Sequence, residues 1–267
     1  MIDVKLYNGD CMSYLQDITG VALCVTSPPY NCGKDYEVVL DYEDYYLFTV
    51  SWMRAVYKSL MSGGRLAVNV PWWVFKKPRL DAVELYKRAA SHSGFVFLDK
   101  IIWIKGTEDN VHVSGGYGGG GCGWGTYMSP SGPSIRCASE PILIFCKESR
   151  GRKVLSGKGK GDCVKGDMTK DEFMQFTIDT WFVRGGGNAG HPATFPIDIP
   201  YRLIKLYTFP GDIVIDPFMG SGTSGQAAIS TKRKFIGIEL HQKYYDMAKV
   251  NIASEHRTCE PQEASNG

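Results

Sequence analysis

The stretch DIVIDPFMGSGTSGQAA, residues 212–228, decides the fold. An apolar run ends at Asp216, a turn with two glycines follows, and small residues typical of a helix come next. Glycines let the backbone approach a ligand closely, and the free N–H groups at a helix start suit an anion. We expect Ser221 or Thr223 to cap this helix. A tight strand–helix turn without a ligand explains the same residues about equally well.

Predicted strands and helices alternate along the rest of the chain. This alternation predicts an α/β fold with a doubly wound sheet, in which ligands bind beyond the carboxyl ends of the strands. The runs that predict strands are VKLYNGD, VALCVTS, RLAVNV, FVFLDKIIWIK, PILIFCK, DIVIDP and KFIGIEL.

The last of these strands ends at Glu239, about one strand–helix unit after the glycines. An acidic residue at such a position commonly accepts hydrogen bonds from ribose hydroxyls. Together the two stretches predict a site for an adenosine-type cofactor. Taken alone, Glu239 is more typical of a surface residue at a strand end.

A second strand end carries two prolines, in CVTSPPYNCG, residues 24–33. Neither proline can donate a hydrogen bond to a sheet, so the strand must stop there. The stiff turn would hold the Ser27 hydroxyl and the Pro28 carbonyl in a fixed orientation, next to the aromatic ring of Tyr30. Taken alone, the stretch is more typical of a simple turn with Tyr30 packed against the core.

Five motifs in one order resemble a known family. TSPPY resembles the catalytic motif (S/N/D)-P-P-(Y/F) of amino-group DNA methyltransferases, and DPFMGSGT resembles their S-adenosylmethionine motif. The catalytic motif comes first, as in the β class, and NGD, SEPILIFCK and HPATFP also match that class in position. The resemblance covers residues 3–252. It implies a doubly wound mixed sheet of the S-adenosylmethionine-dependent type, circularly permuted, with the N-terminal strand pairing beside KFIGIEL.

The resemblance also implies the cofactor, S-adenosyl-L-methionine, and the residues of the site. The acceptors of the Pro-Pro turn would pull on an amine of a base flipped out of duplex DNA. Asp10 would contact the adenine of the cofactor, and HPATFP would form its methionine side, which makes a catalytic role for His191 unexpected. The catalytic residues are Ser27, Pro28, Pro29 and Tyr30, and the cofactor-binding residues are Asp10, His191, Phe195, Asp216, Phe218, Gly220, Ser221, Gly222, Thr223 and Glu239.

Serine in the first position of the catalytic motif resembles the N4-cytosine enzymes, whereas the N6-adenine enzymes more often carry aspartate. N6-adenine methylation is therefore the alternative. Methylation of a glutamine amide or of RNA is more distant, because the amide enzymes run in the opposite motif order. A nucleotide-binding module without turnover is the non-enzymatic alternative. Ring-carbon methylation is not expected, because it needs a Pro-Cys pair and none occurs here.

A basic, glycine-rich segment at 147–187 is predicted to be an inserted target-recognition region for double-stranded DNA. Lys153, Lys158 and Lys160 are its predicted phosphate contacts. A solvated charged face is an equally good explanation of the run by itself. Because the segment is short, we expect recognition also to use the loop at 106–138 or a second subunit. A cognate restriction endonuclease is a candidate partner that the sequence does not identify.

The composition of the 267 residues is ordinary for a globular protein, with 43% hydrophobic and 22% charged residues. No apolar run approaches a membrane span, so we expect a cytoplasmic protein without a membrane partner. The eight cysteines form no CxxC pair, and no metal site is expected. The predicted parts are the catalytic part of the core (1–146), the recognition insertion (147–187), the cofactor-binding part (188–257) and a disordered tail (258–267).

Overall fold

The structure is a computed structural model, and it describes residues 2–31, 33, 39–74, 80–111, 126, 128–149, 151, 166–185 and 195–259. The strands in these ranges are β1 (Val4–Asn8), β2 (Val21–Thr26), β3 (Leu60–Asn69), β4 (Trp73–Val74), β5 (Leu80–Asp81), β6 (Phe95–Thr107), β7 (Asn110–Val111), β8 (Ser139–Lys147), β9 (Thr180–Val183), β10 (Ile213–Asp216) and β11 (Lys234–Glu239). The helices are α1 (Cys11–Leu15), α2 (Tyr42–Ser59), α3 (Ala82–His92), α4 (Lys170–Phe176), α5 (Asp198–Tyr207), α6 (Thr223–Ser230) and α7 (Gln242–Cys259).

One large mixed sheet organises the described chain, in the order β1-β11-β10-β2-β3-β8-β6, with β7 and β9 also paired to β6. The pairings from β1 to β3 are parallel, and β8 is antiparallel to both of its neighbours. The doubly wound mixed sheet is thereby confirmed. The pairing predicted for the N-terminal strand is confirmed as well, because Val4 lies opposite Phe235 and Asn8 opposite Glu239 in parallel register.

Helices cover both faces of this sheet, because its strands are apolar on both sides. Along β8, Leu143 and Phe145 belong to one core with α2 and α3, whereas Ile142 and Ile144 belong to the other with α5 and α6. This alternation is the period of two that a strand imposes on its side chains. Within the described ranges, no helix has the length and apolar character of a membrane span.

Several helices begin at a side-chain cap that fixes where the chain turns. Asp10 is the N-cap of α1 and lies two residues after the end of β1. Its carboxylate accepts a hydrogen bond from Met12 N at 3.0 Å. Asp41 starts α2 in the same way, by accepting from Asp44 N at 2.9 Å. Caps of this kind contribute about 1 kcal/mol each. The cap of α1 fixes the Asp10 carboxylate at the carboxyl end of β1.

The second half of the predicted insertion at 147–187 contains residues that pack in the core. Strand β9 extends the main sheet by pairing in parallel with β6, with Trp103 opposite Trp181. Before α4, Asp167 forms a bidentate pair with the fully buried Arg233 at 2.6 and 2.7 Å. The hydrogen bonds from Arg233 lower the pKa of the Asp167 carboxyl to about 2. Because glycines and lysines surround this segment, a prediction based on composition does not identify its core residues.

The boundary of the predicted tail also differs, because α7 continues through Cys259. Residues 260–267 of the tail lie outside the described residues.

Candidate active site

A cavity of about 420 Å³ opens where β1, β2, β10 and β11 end. All four strands are parallel, so their carboxyl ends meet on one side, which we call the carboxyl end of the sheet. The volume is within the range of small-molecule sites. Its lining includes Asp10, Cys11, Ser27, Pro28, Pro29, Tyr30, Asn31, Tyr45, Phe48, Phe195, Asp216, Phe218, Gly220, Ser221, Thr223, Ser224, Glu239, His241 and Tyr244.

Two groups of side chains divide this cavity. Asp10, Asp216 and Glu239 form the acidic end, and Ser27, Tyr30 and Tyr45 form the hydroxyl end.

Asp216 is the most buried group of the acidic end, at 1% exposure. Its carboxylate accepts hydrogen bonds from Thr26 Oγ1 at 2.7 Å, from Phe218 N at 3.0 Å and from Ser224 Oγ. Burial raises the pKa of this carboxyl to about 6, and the charge of Glu239 acts in the same direction, although the three hydrogen bonds oppose the shift. The Thr26 bond ties the end of β10 to the residue directly before Ser27.

The Glu239 carboxylate organises the backbone around the same end. Its two oxygens accept from Gly220 N at 3.0 Å and from His241 N at 2.8 Å. The carbonyl of Glu239 accepts from Gly9 N at 2.9 Å, which brings Asp10 beside it. The glycine turn, the end of β11 and the end of β1 therefore meet at one carboxylate.

The start of α6 differs from the prediction, because neither Ser221 nor Thr223 caps it. The N-cap is Gly222, in the left-handed conformation with φ 88° and without a side-chain cap. The first N–H groups of α6 are thus not bonded by a cap side chain, and they lie at the cavity. Gly222 itself is not among the described lining residues. A Cβ there would come within 3.0 Å of Ile252 and 3.1 Å of Ala248, so this glycine serves packing against α7.

The Pro-Pro turn is held rigidly by tyrosines. Tyr45 Oη donates to the Pro29 carbonyl at 2.9 Å and lies 2.8 Å from the Tyr86 hydroxyl. The Ser27 hydroxyl lies 2.7 Å from the Tyr30 hydroxyl. Ser27 and Pro28 both line the cavity. The two groups predicted as acceptors, the Ser27 hydroxyl and the Pro28 carbonyl, therefore belong to residues at the cavity.

Asn31 also belongs to the site, although no sequence pattern predicts it there. Its backbone is left-handed, with φ 56°, a conformation that asparagine tolerates better than most residues. Its side chain bonds both backbone groups of Leu40, with Leu40 N and Leu40 O each 2.8 Å away. Asn31 thus fixes the chain that leaves the Pro-Pro turn and returns to α2.

The structure brings the predicted catalytic residues and most of the predicted cofactor residues into this cavity. His191 lies outside the described residues, as do Lys153, Lys158 and Lys160. Ser224 and Tyr45 also line the cavity, and Thr26 bonds to Asp216 behind it, although none of the three is among the predicted site residues. No group of three or more His, Cys, Asp or Glu side chains that could hold a metal occurs in the described ranges.

The flanks of the basic segment lie far from the cavity. Strand β8 is antiparallel, so Lys147 lies at the opposite, amino end of the sheet, and Asp167 is bonded there to Arg233, just before β11. By contrast, the loop at 106–138 leaves and re-enters the sheet at its carboxyl end.

Comparisons with known proteins agree with this geometry. The DNA methylase family, which comprises N6 and N4 methyltransferases, has a model that matches residues 21–250. The Type II methyltransferase M.ScaI of Streptomyces caespitosus is 28% identical over 95% of this chain and 82% of its own. The DNA adenine methyltransferase YhdJ of Escherichia coli is 24% identical over 94% of this chain and 84% of its own.

Solved structures show the same fold. The structure of TTHA0409 from Thermus thermophilus, a putative DNA modification methylase complexed with S-adenosyl-L-methionine, superposes with a TM-score of 0.71 at 28% identity, over 94% of this chain and 93% of that one. The PvuII DNA methyltransferase, described as cytosine-N4-specific, superposes with a TM-score of 0.69 at 19% identity, over 96% and 92% of the two chains. At that identity, the likeness to the PvuII enzyme concerns the fold alone.

Fold and cavity thus define an S-adenosylmethionine-dependent methyltransferase. The lining fits this cofactor, because the acidic end suits its cationic groups and its hydroxyls, and the uncapped start of α6 suits its carboxylate. The chain belongs to the DNA methylase family, and it is an amino-group DNA methyltransferase.

Proposed function

We propose that this protein methylates the N4 amine of cytosine within a short sequence of duplex DNA. The observation that carries the proposal is Ser27, a neutral hydroxyl at the first position of the catalytic turn and in the same cavity as Asp216 and Glu239. Serine there resembles the N4-cytosine enzymes. The expected site-specificity and a partner restriction endonuclease follow from the Type II relatives, and they belong to the proposal.

The acidic end is the proposed cofactor site. S-adenosylmethionine supplies an activated methyl group when it is bound. Asp216 and Glu239 would hold its cationic and hydroxyl groups, and the N–H groups at the start of α6 would hold its carboxylate. Asp10 and Phe218 line the same end and would contact its adenosine part, whereas Phe195 would contact its methionine part.

The hydroxyl end is the proposed catalytic site. An exocyclic amine is a poor nucleophile because its lone pair is delocalised into the base. The Ser27 hydroxyl and the Pro28 carbonyl would each accept a hydrogen bond from this amine and favour its pyramidal, nucleophilic form. Tyr30 would provide ring surface for a base flipped into the cavity. No covalent bond between the protein and the base is required.

N6-adenine methylation is the second candidate, because an adenine methyltransferase is among the relatives. Adenine also presents an exocyclic amine, so the same two acceptors could serve it. The neutral Ser27 favours cytosine only through the resemblance, and the product must therefore be measured.

DNA would approach the carboxyl end of the sheet, where the cavity opens. Segments that begin or end there are the loop at 106–138 and the chain after β9, beginning at Arg184. We place target recognition on these two segments. The DNA contacts of Lys153, Lys158 and Lys160 stay a prediction.

The product of the reaction tests this proposal. Unmethylated genomic DNA, amplified in vitro, is incubated with the protein and isotopically labelled S-adenosylmethionine, and its nucleosides are separated by mass spectrometry. We expect label in N4-methyl-2′-deoxycytidine. The variant Ser27→Ala should lower the initial rate about 10- to 100-fold and leave cofactor affinity unchanged, since the lost hydrogen bond strengthens as the amine becomes pyramidal.

Label in N6-methyl-2′-deoxyadenosine alone would change the proposed target base from cytosine to adenine and keep the mechanism. An unaltered rate for Ser27→Ala would remove the proposed role of the hydroxyl.

A further inference from the structure

Behind Ser27, a line of buried side chains crosses three neighbouring strands. The Tyr30 hydroxyl, 2.7 Å from Ser27 Oγ, accepts from Asn69 Nδ2 at 2.8 Å. The same Nδ2 donates to Glu140 Oε2 at 2.7 Å, and Lys105 Nζ lies 2.6 Å from the other oxygen, Glu140 Oε1. Asn69, Glu140 and Lys105 belong to β3, β8 and β6, and Asn69 and Glu140 are 5% and 8% exposed. A charged pair therefore stands behind a chain of neutral groups that ends in the cavity.

The orientation of the Asn69 amide is fixed by Glu140. With its nitrogen toward Glu140 and Tyr30, the amide donates two hydrogen bonds. Its Oδ1 atom is buried and finds no partner among the residues that the structure describes. Exchanging the two ends of the amide would set Oδ1 against a carboxylate, which repels it. The donor toward Tyr30 is thus retained although it leaves a buried acceptor unpaired, an arrangement that costs stability.

Asn69 contributes a second group to Tyr30, its own main-chain carbonyl, which lies 3.3 Å from the Tyr30 hydroxyl. This acceptor matters when an amine donates to Ser27. The Ser27 proton must then point away from the amine, and Tyr30 Oη is the acceptor within reach. The Tyr30 proton can turn to the Asn69 carbonyl at the same time. Ser27 can therefore present its lone pairs to the cavity while both hydroxyl protons stay hydrogen-bonded.

We propose that Asn69, oriented by Glu140, is a positioning residue for methyl transfer: it holds the Tyr30 hydroxyl, and Tyr30 thereby turns the Ser27 hydroxyl into an acceptor for the target amine. The inference rests on the role proposed for Ser27. Asn69 is not among the described residues that line the cavity, so it acts through Tyr30 alone. Lys105 balances the charge of Glu140 without reaching Tyr30.

The test is a double-mutant cycle on the rate of methyl transfer. Asn69→Leu, Tyr30→Phe and the double variant are compared with the unaltered protein under single-turnover conditions, with unmethylated amplified genomic DNA and tritiated S-adenosylmethionine. Each single variant should be slower by about tenfold, the effect of one neutral hydrogen bond. The double variant should be no slower than Tyr30→Phe alone, because the phenylalanine already breaks the link. Cofactor affinity, measured by calorimetry, should not change.

Two control variants make the cycle decisive. Ser93→Ala removes a buried hydroxyl that bonds the Val50 and Ala89 carbonyls at the amino end of the sheet, and it should leave the rate unchanged. Ser27→Ala reports on the proposed function itself. Asn69→Ala replaces Asn69→Leu if the larger side chain prevents folding, which thermal unfolding reveals.

An Asn69 variant with an unaltered rate, beside a slow Ser27→Ala, would overturn the positioning role and leave the proposed function intact. Losses that multiply in the double variant would also overturn it, because Asn69 would then act through the fold. A fully active Ser27→Ala would overturn the role of Ser27 and this inference together.

Discussion

The two ends of the cavity are made of different chemistry. At the acidic end, Asp216 and Glu239 are 1% and 8% exposed, and their oxygens are engaged by backbone N–H groups and small hydroxyls. At the hydroxyl end, the neutral Ser27 and Tyr30 hydroxyls lie 2.7 Å apart, and Tyr45 Oη donates to the Pro29 carbonyl. A ligand with cationic groups gains from buried carboxylates, whereas an amine that must become a nucleophile needs only oriented acceptors.

This contrast indicates that cofactor affinity and the rate of methyl transfer can be changed separately in this protein. Among the hydrogen bonds of the described residues, the one from the Thr26 hydroxyl to the Asp216 carboxylate links Asp216 to the residue before Ser27. Changes at the acidic end should therefore appear in cofactor binding, and changes at the hydroxyl end in the rate.

The largest expected effect is that of Asp216→Ala on cofactor affinity. The variant removes a buried carboxylate and leaves the Thr26 and Ser224 hydroxyls without their acceptor. A charge-assisted contact contributes about 1.5–3 kcal/mol, so we expect the Kd for S-adenosylmethionine to rise about 10- to 100-fold. Isothermal titration of the folded variant measures it, with Ser27→Ala as the matched control at the other end. Equal affinities for the two variants would erase the distinction between the ends.

An effect of about tenfold is expected from pH. Because burial raises the pKa of Asp216 to about 6, the carboxyl is mostly neutral at pH 5 and mostly ionised at pH 7. A cationic ligand binds the ionised form better, so its affinity should rise with pH and level off above about pH 7. In the protein without cofactor, the raised pKa of Asp216 has the opposite pH dependence in the free energy of unfolding. Its stabilising contribution is present below about pH 4 and is lost as the pH rises through about 6.

Titrations between pH 5 and 8 measure this dependence. Asp216→Asn is the control, since it keeps the size of the side chain and removes its titration. A slope that persists in Asp216→Asn would assign the pH dependence to another group.

The smallest effect is expected for DNA contacts away from both ends of the cavity. Replacing Arg136 and Arg184, which lie on the segments at the carboxyl end of the sheet, by alanine should lower the slope of log K against log salt by about two units. The triple variant of Lys153, Lys158 and Lys160 should lower that slope less, because the described flanks of their segment lie at the amino end of the sheet. Binding of labelled duplex DNA at several salt concentrations compares the two variants. The opposite ranking would move the DNA to the basic segment.

The sequence alone predicts most of the sheet and the principal site residues. Apolar runs of strand length, with turn residues after each, indicate where β2, β10 and β11 end, and parallel strands bring those ends together. The pairing of β1 beside β11 could be predicted from the order of the motifs. Local sequence suffices in these places because each strand carries its own turn.

Contacts between distant side chains escape such a prediction. Thr26 and Asp216 are 190 residues apart, and Asn69 and Glu140 are 71 apart, so no local pattern links them. The role of Gly222 escapes prediction for the same reason, because it depends on close packing against Ile252 of α7. The sequence does not indicate strand β9, because only four residues form it and a glycine-rich stretch follows.

The pairing of β1 with β11 has a consequence for how the protein is made. Asn8 bonds to Glu239, 231 residues later in the chain. At ribosomal rates of roughly 5–20 residues per second, β1 waits about 10 to 50 s before its neighbour is synthesised. An unpaired strand invites pairing with other chains, and β1 is only five residues long, carries the exposed Lys5 and lies at the edge of the finished sheet. The cofactor cannot stabilise the nascent chain during that interval, because the acidic end of the cavity is complete only after Glu239 has been synthesised.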